Sequence, residues 1–268
     1  MAKVPDPITH VTVKAWRGRF LTMDRKLPEE SAVALSYDRV TFAVMMASPQ
    51  DLQDFAIGFS LSEGIIQSPE EILSFELAVL PLGLECRMEL RPDRREALEA
   101  RRRRIAGPVG CGLCGMDSLI EALRPPKQVS PTITVPATKI AAAIRRLPEL
   151  QVLNRETHAV HAAAFYTPDD DALIVREDVG RHNGLDKMIG AVKRAGRHGP
   201  EGVVLLTSRV SIELIQKTGA LGAGIIVAVS VPSARAVREA EAAGMTLIAV
   251  ARDDGFEVFT HPERITGE

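Results

Sequence analysis

Residues 203–229 read VVLLTSRVSIELIQKTGALGAGIIVAV. Val203 to Leu206 and Ile225 to Val229 are unbroken apolar runs, too short for helices, and they mark strands buried on both faces. Between them, from about Val210 to Thr218, the pattern predicts a helix. Strand, helix and strand in this order form the unit of a parallel sheet covered by helices. The rhythm extends both ways. Upstream, Ala137 to Leu147 predicts a helix, Ala159 to Phe165 and Ala172 to Val175 predict strands around a turn at Thr167 to Asp171, and Asn183 to Ala195 predicts a helix whose stripe is Leu185, Met188, Ile189 and Val192. Downstream, a helix over Ala234 to Ala243 is closed by Gly244 and followed by a strand from Thr246 to Ala251. The second half therefore reads as an α/β sheet with helical cover.

The first half has a different character. Residues 1 to 47 read as strands, with a hairpin turning at Ser36-Tyr37-Asp38-Arg39. Leu52, Phe55, Ala56 and Phe59 predict a helix over roughly 50 to 63, ended by Gly64. Ser68-Pro69-Glu70-Glu71 looks like a second helix start, and the alternation of Cys86, Met88 and Leu90 with charged neighbours predicts a strand. The segment Pro125 to Pro136, rich in proline, serine and threonine, marks the expected boundary between a smaller α+β domain (1–128) and an α/β domain (129–268).

Composition narrows the function classes. Of 268 residues, 46% are hydrophobic and 25% charged, an ordinary globular balance that excludes a disordered chain. The net charge of −2 gives no bulk attraction to nucleic acid, and the seven arginines between Arg91 and Arg104 have no interleaved aromatic residue, so a solvent-facing helix or loop is expected there. Met1 to Thr22 does not read as an export signal, and the longest nearly apolar run, Gly219 to Val231, is too short to cross a bilayer. A cytoplasmic protein with no membrane partner is expected, and three cysteines exclude a disulfide scaffold.

Three features carry chemistry. Cys111 and Cys114 lie in Gly107-Pro108-Val109-Gly110-Cys111-Gly112-Leu113-Cys114-Gly115, which must be a loop. Half a zinc site, a redox dithiol, a nucleophilic thiol that carries sulfur, and simple packing all remain open for the pair. Arg176-Glu177-Asp178-Val179-Gly180-Arg181-His182-Asn183 joins a strand to a helix, where open α/β sheets bind ligands. There Gly180 permits close approach, Arg181 and His182 suit a phosphate, and the bland alternative is an exposed turn with Asn183 as helix cap. Thr207-Ser208-Arg209 and then Ser230 and Ser233 occupy the same topological position after later strands, a plausible phosphate cradle without the glycine spacing of a Walker or dinucleotide fingerprint. Lys217 reads as a surface charge, and His158 and His161 do not have zinc-protease spacing.

On these motifs the chain resembles the formate dehydrogenase accessory sulfurtransferases, the FdhD family. The resemblance runs through Ser48-Pro49-Gln50-Asp51-Leu52, Gly58-Phe59-Ser60-Leu61-Ser62-Glu63-Gly64-Ile65-Ile66, the Cys111 to Gly115 loop, Arg176 to Asn183 with Asp186 and Lys187, Thr207 to Ser211, and Ser230 to Ser233. It implies a protein that accepts persulfide sulfur from a cysteine desulfurase on Cys111 or Cys114. The sulfur then passes to the bis-molybdopterin guanine dinucleotide cofactor, held as cargo, for formate dehydrogenase. The alternative is a cofactor chaperone that carries no sulfur. The resemblance also implies a homodimer and a three-layer C-terminal domain with a cytidine deaminase-like fold, without the deaminase zinc site, since no cysteine follows Cys114. The cofactor-binding residues expected are Asp178, Gly180, Arg181, His182, Asn183, Thr207, Ser208, Arg209, Ser230 and Ser233, with no structural metal. Two departures stand out. The family commonly has Thr-Gly-Gly-Val-His where this chain has Thr157-His158-Ala159-Val160-His161, and its usual Asn-Gly hairpin turn is Tyr37-Asp38 here.

Overall fold

The computed structural model describes residues 3–102, 124–130, 133–252 and 254–267. It is a mixed α/β protein. The continuous apolar runs are central strands of a six-stranded sheet: β8 (His161–Thr167), β9 (Ala172–Asp178), β10 (Val203–Leu206), β11 (Ile225–Ala228), β12 (Thr246–Arg252) and β13 (Gly255–Val258), in the order β13-β12-β11-β10-β8-β9. β10, β11 and β12 are parallel, while β8 runs antiparallel to both β9 and β10. Every residue of β10 and β11 is buried because helices cover both faces.

One face packs against α3 (Ala137–Leu150), which follows the short strand β7 (Val135–Pro136), through Ile140, Ala143, Ile144 and Leu147. The other receives Leu185, Met188, Ile189 and Val192 from α5 (Arg181–Arg194), Leu214 and Ile215 from α6 (Ile212–Leu221), and Ala236 and Ala240 from α7 (Ala234–Ala242). The predicted stripe on residues 183–195 is thus the buried one.

The first half supplies a four-stranded sheet in the order β4-β3-β6-β5, from β3 (Ser31–Tyr37), β4 (Val40–Ala47), β5 (Ile72–Leu80) and β6 (Gly83–Leu90). The hairpin turns at Asp38 and Arg39, both at positive φ (49° and 67°), one residue later than the Tyr37-Asp38 pair set against the family's Asn-Gly turn. Ahead of this sheet, β1 (Ile8–Trp16) and β2 (Phe20–Pro28) form a separate two-stranded hairpin. The helix expected at Ser68 is a correction: Pro69–Glu71 makes one 3₁₀ turn and the chain enters β5, a strand the pattern did not reveal. Arginine-rich residues form α2 (Pro92–Arg102), with Arg94 paired to Glu71 at 2.9 Å and Arg95 to Asp38 at 2.8 Å.

The two sheets share one core through α1 (Leu52–Ser62), buried almost all round and crossed by α5. The crossing is set by glycine. A Cβ on Gly58 would fall 1.7 Å from the Asp186 carbonyl oxygen, and one on Gly190 would fall 2.0 Å from that of Asp54. Each helix thus presents an Asp-x-x-x-Gly pair, and each glycine admits the backbone beside the other helix's aspartate. Residues 124–130 lie along the second half, with Val129 N–H donating to Ala243 O at 3.0 Å and Gln128 Nε2 to Ala242 O at 2.7 Å.

Candidate functional site

The polar run at residues 176–183 divides in two. Its first part turns inward. Arg176 Nη2 and Arg194 Nη1 grip opposite oxygens of the buried Asp54 carboxylate at 2.7 and 2.6 Å, tying β9 and α5 to α1. Glu177 accepts the Leu153 and Asn154 N–H groups, each at 2.8 Å, and so caps α4 (Val152–Thr157); burial outweighs these bonds and raises its pKa. Asp178 is fully buried. It pairs with the equally buried Lys187 at 2.6 Å and accepts Ser48 N–H at 3.0 Å, Gly180 N–H at 2.8 Å and Asn183 Nδ2 at 3.1 Å. Lys187 also donates to Ser48 O at 2.9 Å. Asn183 is not the helix cap: Gly180 is, and Asn183, in the first turn of α5, bridges Asp178 and Met46 O.

The second part faces the strand ends. Arg181 and His182 begin α5, His161 opens β8, and Arg209 follows β10. They are electrostatic neighbours. Burial, then Arg181 and Arg209, push the His161 pKa below its ordinary value, against the opposing pull of Asp178. Arg181 Nε is buried without a hydrogen-bond partner among the described residues, while the buried His182 Nε2 faces the Glu213 carboxylate beyond hydrogen-bond length. A buried guanidinium donor left open beside further positive charge suits an anion.

The hydroxyl groups are used locally. Thr207 Oγ1 accepts Ala162 N–H at 2.9 Å and extends the β8–β10 pairing, while Ser208 Oγ donates to Arg209 O at 3.0 Å. Ser233 caps α7 by accepting Ala236 N–H at 3.2 Å. Ser230 O accepts Val250 N–H at 3.3 Å. Val250 sits at a bulge in β12 with φ +53°, a strained conformation for a β-branched residue. The loops after β10 and β11 are joined, since Ser233 N–H donates to Val210 O at 2.9 Å.

Several residues here were not singled out from sequence. Glu213, in the first turn of α6, lies 3.9 Å from His182 Nε2. The imidazole, followed by Ser211 and the backbone against opposing burial, brings its carboxyl down to about 2. Lys217 is a correction, being buried rather than a surface charge: it pairs with Asp186 at 2.9 Å, bonds Ser62 Oγ at 2.9 Å and lies over the Phe59 ring. His158, where the family commonly has glycine, adopts φ +53°, the left-handed form that glycine takes freely.

Cys111 and Cys114 lie outside the described residues. Cys86 is buried in β6 and its thiol is pushed up to about 12, chiefly by burial, so it forms almost no thiolate near neutral pH. Among the described residues no three histidines, cysteines or carboxylates are grouped to hold a metal, and no helix is long and apolar enough to cross a membrane.

Fold and site together define a mixed α/β protein with a cationic cluster at the ends of its central strands. The FdhD/NarQ family model matches residues 28–266. The chain is 50% identical over 245 residues to the "Sulfur carrier protein FdhD" of Agrobacterium fabrum, covering 91% of this chain and 90% of that one. Its identity to the protein of the same name from Cupriavidus necator is 42% over 266 residues, covering 98% and 92%. A crystal structure described as a putative formate dehydrogenase accessory protein from Desulfotalea psychrophila superposes with TM-score 0.75 at 25% identity, covering 97% of this chain and all of that one. The chain belongs to the FdhD/NarQ family.

Proposed function

We propose that this protein carries sulfur to the bis-molybdopterin guanine dinucleotide cofactor on behalf of formate dehydrogenase. Cys111 or Cys114, as thiolate, attacks the terminal sulfur of a cysteine desulfurase persulfide; the sulfur–sulfur bond to the desulfurase breaks and its cysteine leaves as thiolate, so the new persulfide forms with no net redox change. The cofactor is the substrate of the next transfer. Its phosphates are bound by Arg181, His182 and Arg209, with His161 behind them and Thr207, Ser208, Ser230 and Ser233 shaping the adjoining loops. Asp178, Gly180 and Asn183 hold the turn that presents Arg181 and His182. The C-terminal sheet is read as cytidine deaminase-like, and the setting is the cytoplasm.

The observation carrying this reading is the open, buried Nε donor of Arg181 beside Arg209, in a chain half identical to a protein named as a sulfur carrier. With GDP as surrogate, calorimetry of Arg181→Ala and Arg209→Ala should each show a loss of about 1.5–3 kcal/mol, the worth of a charged hydrogen bond. Unchanged affinity in both variants moves the phosphate site elsewhere.

His161 supplies a pH test. Its lowered pKa means that the folded protein binds the proton less readily than the unfolded chain, so stability rises with pH up to about the ordinary value of 6.5. A bound phosphate favours the protonated ring and raises that pKa. GDP binding should therefore take up a proton, and affinity should rise as pH falls through the bound-state value. NMR titration of His161 with and without GDP measures the difference; coincident curves would remove His161 from the site.

A further inference from the structure

β9 and β10 run the same way, each antiparallel to β8, so the helices that follow them, α5 and α6, begin at the same end of the sheet. The two helices lie against each other on one sheet face. Four of the eight buried polar side-chain atoms that lack a hydrogen-bond partner among the described residues gather at these two helix starts: Arg181 Nε and His182 Nε2 on α5, Ser211 Oγ and Glu213 Oε2 on α6. Buried polar groups are normally satisfied, so their concentration in one place marks a task other than packing. The phosphate reading uses Arg181 and leaves Glu213 without a role.

His182 is the second residue of α5 and Glu213 the second of α6, and their Nε2 and Oε2 atoms stand 3.9 Å apart. That is close enough for an ion pair and about 1 Å beyond a charged hydrogen bond. Glu213 is an anion here. The first amides of α6 favour negative charge, and the imidazole and Ser211 add to the effect that brings its carboxyl down to about 2. Lys217, one turn further along α6, is already engaged by Asp186, Glu63 and Ser62. The carboxylate therefore faces the imidazole.

The other charges around the ring are mostly positive. Arg181 precedes it on α5, His161 opens β8 and Arg209 follows β10. Asp178, at the end of β9, is held by the buried Lys187. An imidazole's two nitrogens can do separate work: a carboxylate behind one fixes a proton there, sets the ring plane and favours the charged form. The opposite nitrogen is then an N–H donor, which a phosphate oxygen requires, instead of an acceptor, which would repel it.

We propose that Glu213 is a positioning residue for His182: its carboxylate takes Nε2–H, fixes the ring and keeps it charged, so that Nδ1–H is presented to an anionic oxygen of the ligand. The inference rests on the phosphate site proposed above and extends it to the residue through which His182 acts. Glu213 itself touches no ligand in this scheme. Pairs of this kind often tighten only once a ligand engages.

Ring nitrogen NMR on the full chain tests the pair without any ligand. His182, assigned by the loss of its signals in His182→Gln, should titrate about one pH unit or more higher in the parent than in Glu213→Gln, with melting points within about 4 °C of each other. Calorimetry with GDP supplies a second readout. At about pH 8 the Glu213→Gln variant should bind at least about threefold more weakly, because its ring has lost the proton. At about pH 5 the ring is charged in both proteins, and the variant should bind at least as tightly, because a negative charge has left the site. His161, Arg181 and Arg209 are common to both, so their own titrations do not enter the comparison. A residue that merely supported α6 would give no such reversal. Identical His182 titrations, or a loss of GDP affinity equal at both pH values, would overturn the proposal. The two readings fail separately: a parent that binds no GDP, with His182 still answering to Glu213→Gln, would support the pair and overturn the phosphate site instead.

Discussion

Formate dehydrogenase matured in cells whose only copy of this protein carries serine at both Cys111 and Cys114 should be inactive, while the purified variant binds GDP within about tenfold of the parent, roughly 1.4 kcal/mol. The expectation follows from separating the two tasks along the chain: both cysteines precede residue 124, and the cationic cluster is assembled from His161, Arg181, His182 and Arg209. After incubation with desulfurase and cysteine, mass spectrometry should find a persulfide adduct of roughly 32 Da on the parent's Cys111 or Cys114 and none on Cys86, whose buried thiol is the least available as a nucleophile. Full enzyme activity with the double variant would favour a chaperone that carries no sulfur. An adduct on Cys86 would reverse the assignment of the nucleophile.

The second large effect is on stability. Gly190→Ala should cost about 3 kcal/mol or more, at or above the upper end of overpacking penalties, because the new methyl group meets the Asp54 carbonyl and neither helix backbone can step aside alone. Thermal unfolding should fall by roughly 6–12 °C for a chain of this size. Gly58→Ala should behave alike from the other side of the crossing. Gly224→Ala is the control: its added methyl group would have nothing within 4 Å, and its melting point should stay within about a degree or two of the parent's. Three coincident melting curves would mean that the helices slide apart cheaply.

The centre of the six-stranded sheet was legible because β10 and β11 are short, continuous and wholly apolar, and Val203–Leu206 falls on the residues the pattern marks, whereas the edge strand β13 carries no such pattern. β5 was hidden by Ser68 and Pro69, which imitate a helix start although only one 3₁₀ turn follows. Local signals cannot report that the next residues will pair with β6. The candidate site was legible as a place, and Arg181, His182 and Arg209 stand where the strand ends predict. The roles of individual residues were less visible. Arg176, Glu177 and Asp178 share one polar run with Arg181, yet their partners are Asp54, the α4 amides and Ser48. Polar character alone does not distinguish a ligand contact from a staple to a segment 130 residues away. Lys217 shows the same ambiguity, since its buried partner Asp186 lies 31 positions earlier.

The crossing of α1 and α5 also bears on how the chain is made. Phe55, Gly58 and the Asp54 carboxylate emerge from the ribosome well before the helix that covers them, and Ser48 precedes Asp178 by 130 residues. At bacterial and eukaryotic synthesis rates of about 5–20 residues per second, that interval lasts on the order of ten seconds. Throughout it the nascent N-terminal half holds a helix whose second face, toward α5, is uncovered and an aspartate whose arginines do not yet exist. Assembly of the native core therefore waits for nearly three-quarters of translation, which makes the nascent chain a natural client for general chaperones.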